Sequence, residues 1–201
     1  LVEVDRRGDL ARPSPALGKI PASYPLNYVV SAANWVKPPP PKEMLFKDFM
    51  PFGELAVLAG AGGEGKSWLI LQMAASLTTG LPLCGKWDPA RTGKVLILNA
   101  EDSADDFWRR AYMLATQEMW SKKAWADFKA NILIAPMAGA PKHMTVMREN
   151  NVVPSNLALL MRENVEKCEC IMFVMDPSIY FRVGNENDAM VQAAFMDAIA
   201  P

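Results

Sequence analysis

An α/β fold, a mainly parallel sheet with helices on both faces, is what this sequence predicts, on three observations. Short apolar runs alternate with helix-length periodic segments. Each run is apolar throughout rather than at every second residue, as befits a strand covered on both sides. One run, Leu55-Ala56-Val57-Leu58-Ala59, leads into Gly60-Ala61-Gly62-Gly63-Glu64-Gly65-Lys66-Ser67, which meets G-x-x-x-x-G-K-[ST] at every fixed position, and a periodic segment follows, the strand–loop–helix setting such a motif requires.

Residues 1–42 hold Pro13, Pro15, Pro21, Pro25 and the run Pro38-Pro39-Pro40-Pro41 without sustained periodicity. They read as a Pro-rich linker or arm, locally polyproline-like, with room for a short helix around 27–35. Residues 43–201 read as the globular domain. Its first buried strand is expected at 55–59, between Gly53 and Gly60, and a helix at 67–79, stopped by Gly80 and Pro82. The run 94–99 is the second strand. Ser103 with Asp106 resembles a capping box and opens a helix to about 116, and another helix is expected over 118–130. The third strand is 132–135, followed by a long irregular stretch to Pro154. Ser155 caps a helix to 167. The fourth strand, 171–175, ends at Asp176, and a last helix covers 188–199. No internal repeat is visible.

Composition narrows the class. With 201 residues and 51% hydrophobic content, one substantial core is expected. A net charge of −1 provides no chain-wide basic field for holding nucleic acid. Three cysteines, Cys84, Cys168 and Cys170, make neither a disulfide framework nor a zinc site, so a reduced, cytoplasmic setting is expected. No apolar run nears the ~20 residues of a membrane span, and no signal peptide opens the sequence. Leu1 and Pro201 read as cut ends, which makes the domain C-terminally truncated.

The motif residues suit a nucleoside triphosphate. Glycines let main-chain amides turn inward around phosphates. Lys66 brings a cation to the β/γ-phosphates and is expected to assist catalysis, and the Ser67 hydroxyl suits Mg²⁺. The helix that begins there presents its positive end to the anion. The expected ATP cradle is thus Gly60, Ala61, Gly62, Gly63, Glu64, Gly65, Lys66, Ser67 and Trp68. Asp176, closing a strand, either serves Mg²⁺ opposite Ser67 or starts an Asp-Pro turn. Glu101 and Asp102 follow a strand directly, where ligands of open parallel sheets bind. Glu101 is the candidate base for an attacking water, with Asp102 as substitute; capping of the next helix is the structural alternative for Glu101.

Taken in order, Gly60 to Ser67, Val95 to Asp102 with Arg109-Arg110, Met175-Asp176-Pro177 and Asn185-Glu186-Asn187-Asp188 resemble RecA-like P-loop ATPases, most closely the plasmid RepA branch of hexameric replicative helicases. The resemblance covers about residues 43–200. It implies a ring-forming ATPase that moves along single-stranded DNA through regions beyond residue 201. It also implies that Glu101 activates water, that Asp176 serves Mg²⁺, and that Trp108 or Arg109, seven and eight residues past Glu101, stacks on adenine; a core Trp is the alternative for Trp108. The family has a further strand between those ending at Gly60 and Asp176, with a γ-phosphate sensor, and then DNA loops and a partner-reaching arginine. This sequence stops before them, so weak or absent helicase activity is expected of residues 1–201.

His143 is read as a loop residue, Trp120 and Trp125 as inward-packing, and Lys122, Lys123 and Lys129 as a solvated face. Two other functions stay open: a RecA-like regulatory or recombination ATPase of the clock or RadA type, and a non-hydrolysing scaffold. The intact Lys66, Ser67, Glu101 and Asp176 argue against the second.

Overall fold

The computed structural model describes residues 36–149, 151–185 and 188–200. The chain divides into Leu1–Pro41 and Lys42–Pro201, and every element below belongs to the second unit. The arm expected over residues 1–42 and the short helix at 27–35 fall almost wholly outside the described residues. So does the middle of the stretch from Asn185 to Asp188.

The elements run β1 (Met44–Phe46), β2 (Met50–Pro51), α1 (Lys66–Thr79), β3 (Lys94–Asn99), α2 (Ala104–Gln117), α3 (Lys122–Asn131), β4 (Ile132–Pro136), β5 (Thr145–Arg148), β6 (Asn151–Pro154), α4 (Asn156–Lys167), β7 (Cys170–Asp176), a 3-10 turn (Ser178–Phe181) and α5 (Ala189–Ile199). Among the described residues the main sheet has the order β4-β3-β7, and both pairings are parallel. Side chains alternate across a strand, and the two cores follow that alternation. Val95 and Ile97 of β3 face Leu71, Ala74 and Leu77 of α1 together with Phe107 of α2 and Phe128 of α3. Leu96 and Leu98 face the other way, toward Ala158 of α4 and Phe195 and Ala198 of α5. A parallel sheet between two helical layers, the arrangement expected from the alternating runs, is what the chain forms.

Residues 55–59 correct the sequence reading. They form no strand, and Leu55, Val57 and Leu58 are 43%, 66% and 44% exposed. Among the described residues β7 pairs only with β3, so neither β7 nor the 55–59 run has a strand on its free side. An apolar run becomes a strand only where a neighbour takes its backbone groups. Residues 55–59 lack that neighbour. For the same reason β7, apolar along its length, is half-buried at every position.

Two further corrections are local. The stretch read as irregular up to Pro154 contains the β5–β6 antiparallel pair, joined through Glu149 at φ 46°, with Val146 opposite Val153 and Met147 opposite Val152. The helix expected from 118 begins at Lys122 instead. α2 runs to Gln117, Met119 turns left-handed at φ 49°, and the Trp120 amide donates back to the Ala115 carbonyl at 2.9 Å. Ser121 then accepts from the Ala124 amide at 3.1 Å and starts α3.

The caps read from sequence do form. Ser103 Oγ accepts from the Asp106 amide at 3.1 Å and donates to Asp106 Oδ2 at 2.6 Å. Ser155, 8% exposed, accepts from the Ala158 amide at 3.2 Å and donates to the His143 carbonyl at 2.7 Å. That second bond ties α4 to the segment before β5. Burial pushes the Cys170 thiol up, so it is protonated at neutral pH and behaves as a packing residue.

Ser155→Ala removes both of its bonds and leaves the His143 carbonyl short of a donor. Urea denaturation should show a loss of ~1–2 kcal/mol. Asp106 gives a pH signature. The Ser103 hydroxyl, then the Ser103 amide and Arg109, hold its carboxyl below the usual range against an opposing effect of burial. A depressed folded value adds stability above the unfolded value, near 4, and that stability fades as pH falls through the folded value. The urea midpoint of Asp106→Asn should therefore lie below that of the native chain at pH 7, and the gap should narrow as the pH falls through the folded value.

Candidate functional site

Residues 60–65 form no regular structure and all are exposed. The backbone reaches φ 81° at Gly63 and 85° at Gly65, a region that side chains disfavour by about 1–2 kcal/mol. A Cβ at Gly62, Gly63 or Gly65 would meet nothing within 4 Å. The glycines there answer to backbone shape and leave the inner side of the loop open. Gly65 is the N-cap of α1, with no side-chain cap and no acid in the first turn. The first amides of α1 are thus left for an outside acceptor. Lys66 and Ser67 are the first two helical residues.

Within the loop, Lys66 Nζ donates to the Gly60 carbonyl at 2.7 Å and the Ala61 carbonyl at 2.6 Å. Glu64 Oε2 accepts from the Ala61 amide at 2.9 Å. A cation and an amide of the loop are therefore both engaged with oxygen atoms, the kind of partner a phosphate supplies. Trp68 is half-buried against the core that α1 shares with β3.

The second group of residues sits at the carboxyl ends of β3 and β7. Asn99 and Asp176 are register partners, and the Ala100 amide donates to the Asp176 carbonyl at 2.9 Å. The two strand tips are thereby locked side by side. Asn99, 4% exposed, accepts at Oδ1 from the amides of Glu101 at 2.9 Å and Asp102 at 2.7 Å. Asp102 takes a two-pronged ion pair from Arg110 of α2, Nη1 to Oδ2 at 2.6 Å and Nη2 to Oδ1 at 2.8 Å. Asn99 Nδ2 adds a bond to the same Oδ2 at 3.2 Å. The Asp102 carboxylate raises the Arg110 guanidinium above its ordinary value, burial opposes this, and the charges of Asp106 and Asp176 reinforce it. The Glu101 carboxylate is exposed and has no hydrogen-bond partner among the described residues.

The sequence-predicted residues thus fall into two groups. Asp176, Glu101 and Asp102 come together at one pair of strand tips, and residues 60–67 lie at the start of α1, whose body packs on β3. No hydrogen bond or ion pair joins the two groups among the described residues. Trp108 is 48% exposed, its ring centroid 5.1 Å from that of Trp125, and Arg109 pairs with Asp106 at 2.8 Å. Sequence reasoning missed the joint role of Asn99 and Arg110. The available signal was a buried strand run ending in Asn, the residue type that folds its side chain over the next two amides.

The donor set suits magnesium nucleotide. Among the described residues no three His, Cys, Asp or Glu side chains gather in a metal site. A hydroxyl such as Ser67 and one carboxylate such as Asp176 match an ion that keeps waters and draws its remaining ligands from phosphate. Among the described residues no helix is long and apolar enough to cross a membrane.

A family model described as an AAA domain matches residues 21–200. No curated protein matches the chain.

Gly65→Ala places a Cβ in a left-handed position without a clash. The expected loss of stability is ~1–2 kcal/mol, read from the thermal midpoint; an unchanged midpoint would mean that the loop relaxes to another backbone shape.

Proposed function

The chain belongs to the AAA-domain family of P-loop ATPases, and on that premise we propose that it is the ATP-hydrolysing core of a RepA-like replicative DNA helicase. In this reading, residues 1–42 are a tether, the subunits form a hexameric ring, and ATP turnover drives movement on single-stranded DNA. The observation that carries the hydrolytic part is the register of β3 against β7. It sets an unpartnered Glu101 two residues past Asn99, beside the tip that ends in Asp176. The further step to DNA translocation is supported by the order of sequence motifs.

The amides of residues 61–67 surround the phosphates, and Gly62, Gly63 and Gly65 keep that space clear. Lys66 exchanges its two loop carbonyls for β/γ-phosphate oxygens and neutralises charge as the bond to the γ-phosphorus breaks. Ser67 and Asp176 would hold Mg²⁺, which would supply positive charge beside the phosphates. Glu101 orients the attacking water and accepts its proton. Trp108 or Arg109 offers a flat surface for the adenine ring.

Lys66→Ala should weaken binding of a fluorescent ATP analogue by at least tenfold. Glu101→Gln should leave that binding within about twofold while lowering turnover by roughly 10²–10⁴. Unchanged turnover in Glu101→Gln removes it as the base. In the whole protein, ATPase activity stimulated by single-stranded DNA is the expected result. Turnover indifferent to DNA would favour an assembly switch, and tight binding with no turnover would favour a scaffold.

A further inference from the structure

Two adjacent acids, Glu101 and Asp102, follow β3, and their surroundings are opposite. Glu101 projects unpartnered. Both oxygens of Asp102 are taken, by Arg110 at 2.6 and 2.8 Å and by Asn99 Nδ2 at 3.2 Å. A carboxylate with both oxygens engaged in this way has little acceptor capacity left to face an attacking water. We propose that Asn99, Asp102 and Arg110 form a positioning latch that fixes the backbone under Glu101, and that Asp102 is an anchoring anion without a base role.

The hydrogen bonds are directed at the segment that carries Glu101. Asn99 Oδ1 binds the Glu101 amide itself and the amide after it. The Asn99 carbonyl accepts from the Met137 amide at 2.6 Å, on the β4 side, and the Ala100 amide donates to Asp176 on the β7 side. Arg110 supplies the third anchor, from α2. Residues 99–102 are thus fastened to β4, β7 and α2, and only the Glu101 side chain is left to move. The Asp102 and Arg110 side chains are 23% and 32% exposed, so the pair is partly shielded from water. A lysine could restore the charge but not the two parallel bonds.

The latch presupposes Glu101 as the base, and the two ideas separate experimentally. The first measurement needs no turnover. Amide hydrogen exchange in the 201-residue chain should quicken at Glu101 and Asp102 by at least tenfold in Asp102→Asn and Arg110→Lys, while the amides of Val95 and Ile97 keep their protection. Unchanged exchange at residues 101 and 102 overturns the latch.

The second measurement is single-turnover ATP hydrolysis by the whole protein, with affinity for a fluorescent ATP analogue measured in parallel. Displacement of a catalytic group by about 1 Å costs on the order of 10²-fold in rate. Arg110→Ala and Asp102→Asn should each slow hydrolysis roughly 10- to 100-fold, with nucleotide affinity within twofold of the native protein. The double variant should be no slower than the slower single. Millimolar guanidinium should restore part of the rate in Arg110→Ala, a recovery that general destabilisation would not give. Where Arg110→Ala fails to fold, Arg110→Lys and Asp102→Asn carry the same comparison. Native rates in the latch variants alongside an inactive Glu101→Gln overturn the latch and leave the base in place. An active Glu101→Gln alongside an inactive Asp102→Asn makes Asp102 the base and overturns both.

Discussion

The β3–β7 ladder extends one residue beyond its last paired Cα atoms, through the Ala100 amide and the Asp176 carbonyl, and the chemistry of the strand tips depends on that extension. Parallel pairing brings two carboxyl ends to the same side of the sheet, so acids far apart in sequence become neighbours. The alternating faces of β3 then fix which side chains are spent on the core. Val95 and Ile97 go to the layer of α1, Leu96 and Leu98 go to the layer of α4 and α5, and the first residue free of both is Asn99. A one-residue slip in this register would exchange the faces and carry Asn99 away from Asp176.

Most of the architecture was legible where a single local rule decides it. The runs 94–99, 132–135 and 171–175 are strands because they are apolar on both faces and have neighbours. Ser103 and Ser155 cap the helices they were expected to open, since each side chain meets an amide only three residues away, whereas the Ser121 cap of α3 was masked by the turn at 118–120. Residues 55–59 have a similar composition to those strands and behave differently. Strand formation there depends on what lies alongside, which a window of five residues does not contain. The β5–β6 hairpin was obscured for a related reason. Its two strands are short, and the turn relies on Glu149 at positive φ, an unfavourable residue for that conformation.

The loop and the strand tips differ in the same respect. Gly60 to Ser67 could be read from spacing because a phosphate cradle is local: glycines, then a lysine and a hydroxyl at the start of a helix. Position alone does not separate Asp102 from Glu101, since both are acids at a strand end, and only the family resemblance put Glu101 first. Their difference lies in Arg110, two turns into α2, and in the buried amide of Asn99. Local chemistry named the candidates, and tertiary contacts gave them different surroundings.

Among the described residues one side of β7 has no neighbouring strand, and this has a colloidal consequence. The main-chain groups on that side of a strand carrying Ile171, Phe173 and Met175 are a template on which an extended apolar segment can add. The chain as a whole is nearly neutral, so copies repel one another weakly. Salt, which screens what repulsion remains, leaves the adhesive edge untouched. A strand that adds there, from whatever source, removes that adhesive edge.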